Sequence, residues 1–312
     1  MQPPRIICIG ELLADLISTE YADTFARADQ YRRVPGGSPA NLAMNLARLG
    51  IPVGLVATVG RDDTGALLSE AVAEAGVQTA GIRRVAEPTT LVLVTKSRAV
   101  SNFEAYRLAD PRIDASQIPD DWLAPGPILH TTAFALSREP ARTAILTAAR
   151  RVTEAGGQLS IDLNYAPKIW PDRLEALWVI TQYLSTGGAG AGAMVKCSEV
   201  DYLRLFGEPP EDHSDAAAQL RDLGAGLVCL TLGEKGSYTS AAEGQGEFLE
   251  ARPVDVVDTT GAGDAFWSGF LAAYVSGTAP PECARAGRAV AERKLTCVGT
   301  ITESLDWKAL LS

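Results

Sequence analysis

A polar, glycine-rich loop, Asp258-Thr259-Thr260-Gly261-Ala262-Gly263, ends in the acid Asp264 and runs straight into the apolar stretch Ala265-Phe266-Trp267-Ser268-Gly269-Phe270. Gly261, Ala262 and Gly263 have little or no side chain, so their backbone N–H groups can close around an anion. A helix that begins here leaves its first N–H groups without intrahelical partners and carries partial positive charge at that end. Together these features make an oxyanion or phosphate cradle. A carboxylate sits oddly where an anion binds unless it accepts a proton there. Asp264 therefore has two readings, a general base or a helix N-cap acid after a tight turn.

A second segment, Gly36-Gly37-Ser38-Pro39-Ala40-Asn41, enters a helical pattern that stops before Gly50. Ser38 reads as its N-cap and Pro39 as its first helical residue. A cap needs only one turn residue, so the glycine pair Gly36 and Gly37 points to something lying close against the backbone. Asn41, in the first turn, offers both a donor and an acceptor, a pairing that suits a polyhydroxyl ligand. Gly10-Glu11-Leu12-Leu13-Ala14-Asp15 follows the first β-rich run. In an open parallel sheet, ligands bind beyond the carboxyl ends of the strands, where this segment emerges. Asp15 is there either to accept hydrogen bonds from sugar hydroxyls or as a solvated loop acid.

Short β-rich runs alternate with helical patterns, the signature of a doubly wound α/β sheet. The expected core strands are Arg5–Ile9, Val53–Val59, Ile128–Thr131, Gln158–Leu163, Ala193–Lys196 and Leu227–Leu232. The expected helices are Ala40–Leu49, Thr64–Ala75, Glu139–Ala155, Ser198–Phe206 and Asp215–Leu223, several stopped by a glycine in the C′ position. A β-turn-β segment over Gly236–Val257, the helix of the glycine loop to about Val275 and a last helix near Pro281–Thr296 complete the chain. Residues 12–35 and 88–108 break the alternation and are expected to pair as a small β lobe on a single domain spanning 1–312. The glycine run 187–192 precedes a strand rather than following one, and reads as a linker.

The formal net charge of −10 argues against broad electrostatic binding to nucleic acid or an anionic membrane. Five cysteines, Cys8, Cys197, Cys229, Cys283 and Cys297, fall without CxxC or CxxH spacing, so neither a zinc site nor a disulfide framework is indicated. Such cysteines read as buried thiols of a reducing compartment; with no apolar run of about 20 residues and no signal-peptide pattern in the opening residues, a cytoplasmic location is the expectation.

The glycine pair with Pro-Ala-Asn, the strand end Val59-Gly60-Arg61-Asp62-Asp63-Thr64-Gly65 and Asp258-Thr-Thr-Gly-Ala-Gly-Asp264 resemble the signature regions of the ribokinase-like (PfkB-type) carbohydrate kinases, in order and spacing along essentially the whole chain. The resemblance implies a doubly wound, mainly parallel ribokinase-like sheet with a small β-sheet lid lobe, and ATP-dependent phosphoryl transfer to a sugar hydroxyl. It makes Asp264 the general base and the backbone of Gly261, Ala262 and Gly263 the anion hole. It places Asp15, Gly36, Gly37, Asn41, Tyr106, Arg107 and Asn164 on the sugar. On the ATP side it places Lys196, Thr231, Gly233, Lys235 and Gly236, together with Gly261 and Gly263. Asp201 matches a water-mediated Mg²⁺ contact. Asp258 and Thr260 match the potassium site that many members have beside the anion hole, although the partner loop Cys297-Val298-Gly299-Thr300 is shorter than usual.

Phe103-Glu104-Ala105-Tyr106-Arg107 resembles the corresponding run of fructokinases and 2-keto-3-deoxygluconate kinases. On a strand, Phe103, Ala105 and Arg107 share one face, and Tyr106 takes the other. Asp162-Leu163-Asn164-Tyr165-Ala166 carries alanine where both groups show arginine, which favours a neutral sugar, fructose first, although Lys168 has the length to reach the same place. A sugar-acid kinase such as one for 2-keto-3-deoxygluconate, or a pentose kinase, is the alternative. A non-catalytic sugar or nucleotide sensor is the alternative of a different class. A Rossmann dehydrogenase is disfavoured, because the first strand lacks the G-x-G-x-x-G that should follow it. Lobes of this kind often pair between subunits in related kinases, so a homodimer is expected.

Overall fold

The computed structural model describes residues 2–22, 24–96, 102–124, 126–187, 192–241, 246–297 and 301–309. Most of the 187–192 run and the loop 298–300 thus lie outside the described residues, as do 97–101 within the expected lobe. In chain order the elements are β1 (Ile6–Ile9), β2 (Leu13–Tyr21), β3 (Tyr31–Gly36), α1 (Ser38–Arg48), β4 (Val53–Gly60), α2 (Asp63–Glu74), β5 (Ile82–Val85), β6 (Leu91–Lys96) and β7 (Phe103–Tyr106). They continue with β8 (Ile128–Thr132), α3 (Ala133–Leu136), α4 (Ala141–Glu154), β9 (Gln158–Asp162), α5 (Arg173–Ser185), β10 (Ala193–Ser198), α6 (Glu199–Phe206) and α7 (His213–Asp222). The last are β11 (Ala225–Thr231), β12 (Gly236–Ala241), β13 (Glu247–Glu250), α8 (Ala262–Val275) and α9 (Pro280–Leu295).

Nine strands form one sheet in the order β13-β12-β11-β10-β9-β8-β1-β4-β5. From β11 to β5 every neighbouring pair is parallel, while β12 and β13 add antiparallel strands at one edge. Parallel strands of this kind are covered on both faces, which is why β4, with every residue buried, reads as an unbroken apolar run. One face is covered by an apolar layer drawing on α4, α5, α6 and α7, with Ile145, Ile180, Leu205 and Leu220 among its members. The other draws on α1, α2, α8 and α9, with Leu46, Leu68, Trp267 and Val290. The sheet is wound in both directions from β1, and the carboxyl ends of β1, β8, β9, β10 and β11 meet along one rim.

A second sheet of four strands has the order β3-β2-β6-β7. Its register sets Leu13 against Gly36 and Asp15 against Val34, so the segment leaving β1 returns as β3 straight into α1. The helix α5 is absent from the expected helices. Its sequence, RLEALWVITQYLS, spreads apolar residues around the whole circumference and leaves Leu174 and Trp178 exposed, so no clean stripe of period 3.6 announces it. Asp172 caps it by accepting from the amides of Leu174 and Glu175. Among the described residues, no helix is long and apolar enough to cross a membrane.

Candidate active site

Gly261 is the N-cap of α8, with φ 76°, a left-handed conformation that glycine enters freely. No side chain caps this helix. The Ala262 amide turns back to the Thr259 carbonyl at 3.2 Å. Among the described residues this leaves the amides of Gly261, Gly263 and Asp264 as the donors of the helix start. Asp264 is the third helical residue, which corrects the N-cap reading. Its carboxylate instead accepts from the Ser38 hydroxyl (2.6 Å, at Oδ1) and from the Asn41 amide (2.9 Å, at Oδ2). Burial pushes its pKa up to about 6; the Ser38 hydrogen bond opposes that rise and the Asp162 carboxylate adds to it.

Ser38 is consequently not the cap of α1. Gly37 holds that position with φ 99°, and Ser38 is the first helical residue, its hydroxyl spent on Asp264. The glycine pair is explained by the protein's own groups. A Cβ on Gly36 would lie 2.1 Å from an Asp15 carboxylate oxygen, and one on Gly37 would lie 2.2 Å from the Glu11 carbonyl oxygen. Glu11 itself is buried, accepting from the Ser38 amide and the Thr132 hydroxyl at 3.2 Å each. Burial raises Glu11 to about 8 and Asp15 to about 7, the Asp264 charge adding to the latter. Asn41 keeps its carbonyl oxygen buried and without a partner among the described residues.

On β7, Phe103 and Ala105 are half-buried, while Tyr106 is turned outward and 56% exposed. Arg107 is buried, both Nε and Nη2 donating to Asp110 Oδ2 (2.9 and 2.5 Å), with its guanidinium 4.0 Å over the Phe134 ring and a further bond to Ser137. Its charge is thus balanced internally. Asn164 follows β9 in an exposed left-handed turn with φ 35°, a conformation asparagine tolerates better than most residues. Lys168 reaches to the small sheet, donating to Asn102, the Phe103 carbonyl and Glu104. Asp62 has a structural task, capping α2 through the Gly65 amide and binding Thr89.

The nucleotide-side residues gather at the ends of β9, β10 and β11. The parallel register sets Lys196 beside Asp162, and the two form a buried ion pair at 2.7 Å. Burial works against the Lys196 charge, but the carboxylates of Asp162, Asp201 and Asp264 outweigh it and hold the ammonium above its ordinary range. A Cβ on Gly263 would come within 3.1 Å of that Nζ, so the lysine lies directly under the start of α8. Thr231 is the register partner of Ser198, and Gly233 (φ 60°), Lys235 and Gly236 (φ 120°) form the turn that follows; Lys235 pairs with Glu199 at 3.1 Å. Asp201 is buried, exchanges capping bonds with Ser198, and is raised by burial and then by Asp162.

No group of three metal-ligating side chains occurs among the described residues. Asp162 nevertheless keeps one buried carboxylate oxygen without a partner among them. With Asp201 it supplies the hard oxygen donors that suit Mg²⁺ held mainly by waters and phosphates. The monovalent-cation expectation fits less well. The Thr260 amide donates to Asp258 Oδ1 at 3.0 Å, and the Lys294 ammonium lies against Asp258, so a protein cation already sits beside one of the two residues expected to hold the ion. The motif spacing gave no sign of this, because Lys294 lies 36 residues further along the chain.

A family profile described as pfkB family carbohydrate kinase matches residues 3–308. The chain is 34% identical to an ATP-dependent 6-phosphofructokinase of Thermoanaerobacterium thermosaccharolyticum, over 96% of this chain and 91% of that one. It is 33% identical to fructokinase-1 of Zea mays, over 85% and 81%. A sugar kinase from Pyrococcus horikoshii, solved in complex with ATP, superposes with a TM-score of 0.83 at 27% identity, covering 97% of this chain and 96% of that one.

Proposed function

The chain belongs to the pfkB family of carbohydrate kinases, and we propose that it transfers the γ-phosphate of ATP to a hydroxyl of a small neutral sugar, fructose first. The observation that carries this reading is the carboxylate of Asp264, held by Ser38 and Asn41 at an uncapped helix start. Phosphoryl transfer has a loose transition state, so position and charge stabilisation do most of the work. The amides of Gly261, Gly263 and Asp264 stabilise the negative oxygens of the moving phosphoryl group, and Lys196 beneath them adds a fixed positive charge. Asp264 accepts the proton of the attacking hydroxyl. Asp201 and Asp162 would hold Mg²⁺, which would supply neutralisation of charge on the nucleotide.

Three features support a neutral polyol. Asp15 and Asp264 present carboxylates to the same cleft, Asn41 adds an acceptor without a partner, and Arg107 is already balanced by Asp110. Such a surface accepts hydroxyl protons and repels a second anion. The small sheet, whose strand β2 carries Asp15, closes over the sugar in this reading and keeps water from the phosphoryl group.

A second reading has one specific observation behind it. A cavity lined by Phe103, Glu104, Arg107, Arg138, Lys168 and Ile169 gathers three cationic side chains near the small sheet, of which Arg107 is paired with Asp110 and Lys168 with Glu104. A sugar carrying a phosphate or carboxylate would place that group there. Coupled measurement of ADP release with fructose, fructose 6-phosphate and 2-keto-3-deoxygluconate separates the two. The neutral-sugar reading expects kcat/KM for fructose at least about tenfold above both anionic sugars, a difference of roughly 1.4 kcal/mol in transition-state binding. Preference for either anionic sugar overturns it.

A further inference from the structure

We propose that the Lys294 ammonium is a built-in monovalent cation for the phosphate cradle, so that turnover in this kinase needs no free potassium ion. The proposal rests on the kinase reading and adds a residue that reading does not use. Helices α8 and α9 approach each other at the backbone. A Cβ on Gly269 would lie 2.6 Å from the Ala286 carbonyl oxygen, and one on Gly287 would lie 2.7 Å from that of Phe266. This contact brings the last turn of α9 behind the loop that leads into α8.

Lys294 sits in that last turn and is only 3% exposed, although a lysine stem ordinarily carries its charge out to water. Its Nζ lies 3.3 Å from the Asp258 carbonyl oxygen, 3.4 Å from Asp258 Oδ2 and 3.3 Å from the Cys297 carbonyl oxygen. A carboxylate and two main-chain carbonyls, all slightly beyond the usual range of about 2.7–3.2 Å for N–H···O bonds, make an oxygen shell around a compact unit charge. A monovalent metal ion selects the same donor set, and an ammonium matches its charge and comes close to its size. The loop is strapped to the same helix end by the Val257 amide, which donates to the Leu295 carbonyl at 2.8 Å. A Cβ on Gly261 would lie 3.9 Å from Lys294 Cε, so the cation stands immediately behind the N-cap of α8. There it adds to the positive end of the helix and fixes the carboxylate that shapes the anion loop. Because the charge is covalently attached, its occupancy is independent of salt composition.

The test compares the wild-type enzyme in potassium chloride with the same enzyme in tetramethylammonium chloride of equal ionic strength, reading both turnover and ATP affinity by calorimetry. Lys294→Met is carried through the same two salts, with circular dichroism as the check on folding. Wild-type kcat and ATP affinity are expected to agree within about twofold between the salts. The variant is expected to lose about 10²-fold in kcat without potassium and to regain much of it when potassium enters the vacated shell. Stimulation of the wild type by potassium of fivefold or more overturns the proposal, as does a variant fully active in tetramethylammonium. If the variant does not fold, the wild-type comparison decides alone. If no sugar is turned over, the kinase reading has failed separately, and the salt dependence of ATP affinity still decides the role of Lys294.

Discussion

Asp264, Asp15 and Glu11 hold their protons more tightly in the fold than in an extended chain, near 6, 7 and 8, chiefly because burial disfavours their charge. Between their unfolded values, near 4, and these folded ones the native state binds more protons than the unfolded state. Stability therefore falls as pH rises through that window, and the full cost is present above the folded values. Asp15→Asn removes one such cost. It is expected to raise stability by about 1–3 kcal/mol at pH 8, with the gain shrinking toward pH 5, while weakening sugar binding. Thermal melts at the two pH values check this, and an equal shift at both would show that Asp15 is not buried in its charged form. The acid Asp264 and the pair Gly36-Gly37 were legible in the sequence because their types sit in a short motif. Ser38 was legible only as a cap, since its partner Asp264 lies 226 residues away. Glu11 and Lys294 gave no local signal for the same reason.

Elements with a strong period or firm stop signals were readable within a residue or two: β4 as a continuous apolar run, α8 from its glycine start, α2 and α4 from their terminal glycines. The helix α5 was not, because its burial comes from tertiary packing rather than from a narrow stripe. The β3–α1 junction shows what an element demands of a single residue. Gly37 has φ 99° and no space for a Cβ, with the Glu11 carbonyl oxygen 2.2 Å from where it would stand. Gly37→Ala is expected to cost about 2–4 kcal/mol, combining left-handed strain with a backbone clash, and to disturb Ser38 and Asn41 together. Urea denaturation measures it. An unchanged midpoint would mean that the junction relaxes without consequence for the pocket.

At the scale of the molecule, two apolar layers hold one long sheet rigid, and its carboxyl rim brings the Lys196–Asp162 pair, the start of α8 and the Asn41 turn into one cleft. The same frame serves relatives named for different sugars, so the fold by itself does not name the acceptor. That is why the sequence was informative about architecture and chemistry and much less so about the acceptor. The most direct measurement is the pH profile of sugar-dependent ADP release for the wild type and for Asp264→Asn, with folding and ATP binding monitored alongside. The wild type should lose kcat/KM below an apparent pKa of about 6. Asp264→Asn should bind ATP and fold normally, yet turn over about 10²–10⁴-fold more slowly without that acidic limb. An Asp264→Asn enzyme that keeps wild-type turnover and the same pH profile would contradict a proton-accepting role for this carboxylate, and with it the mechanism built around the start of α8.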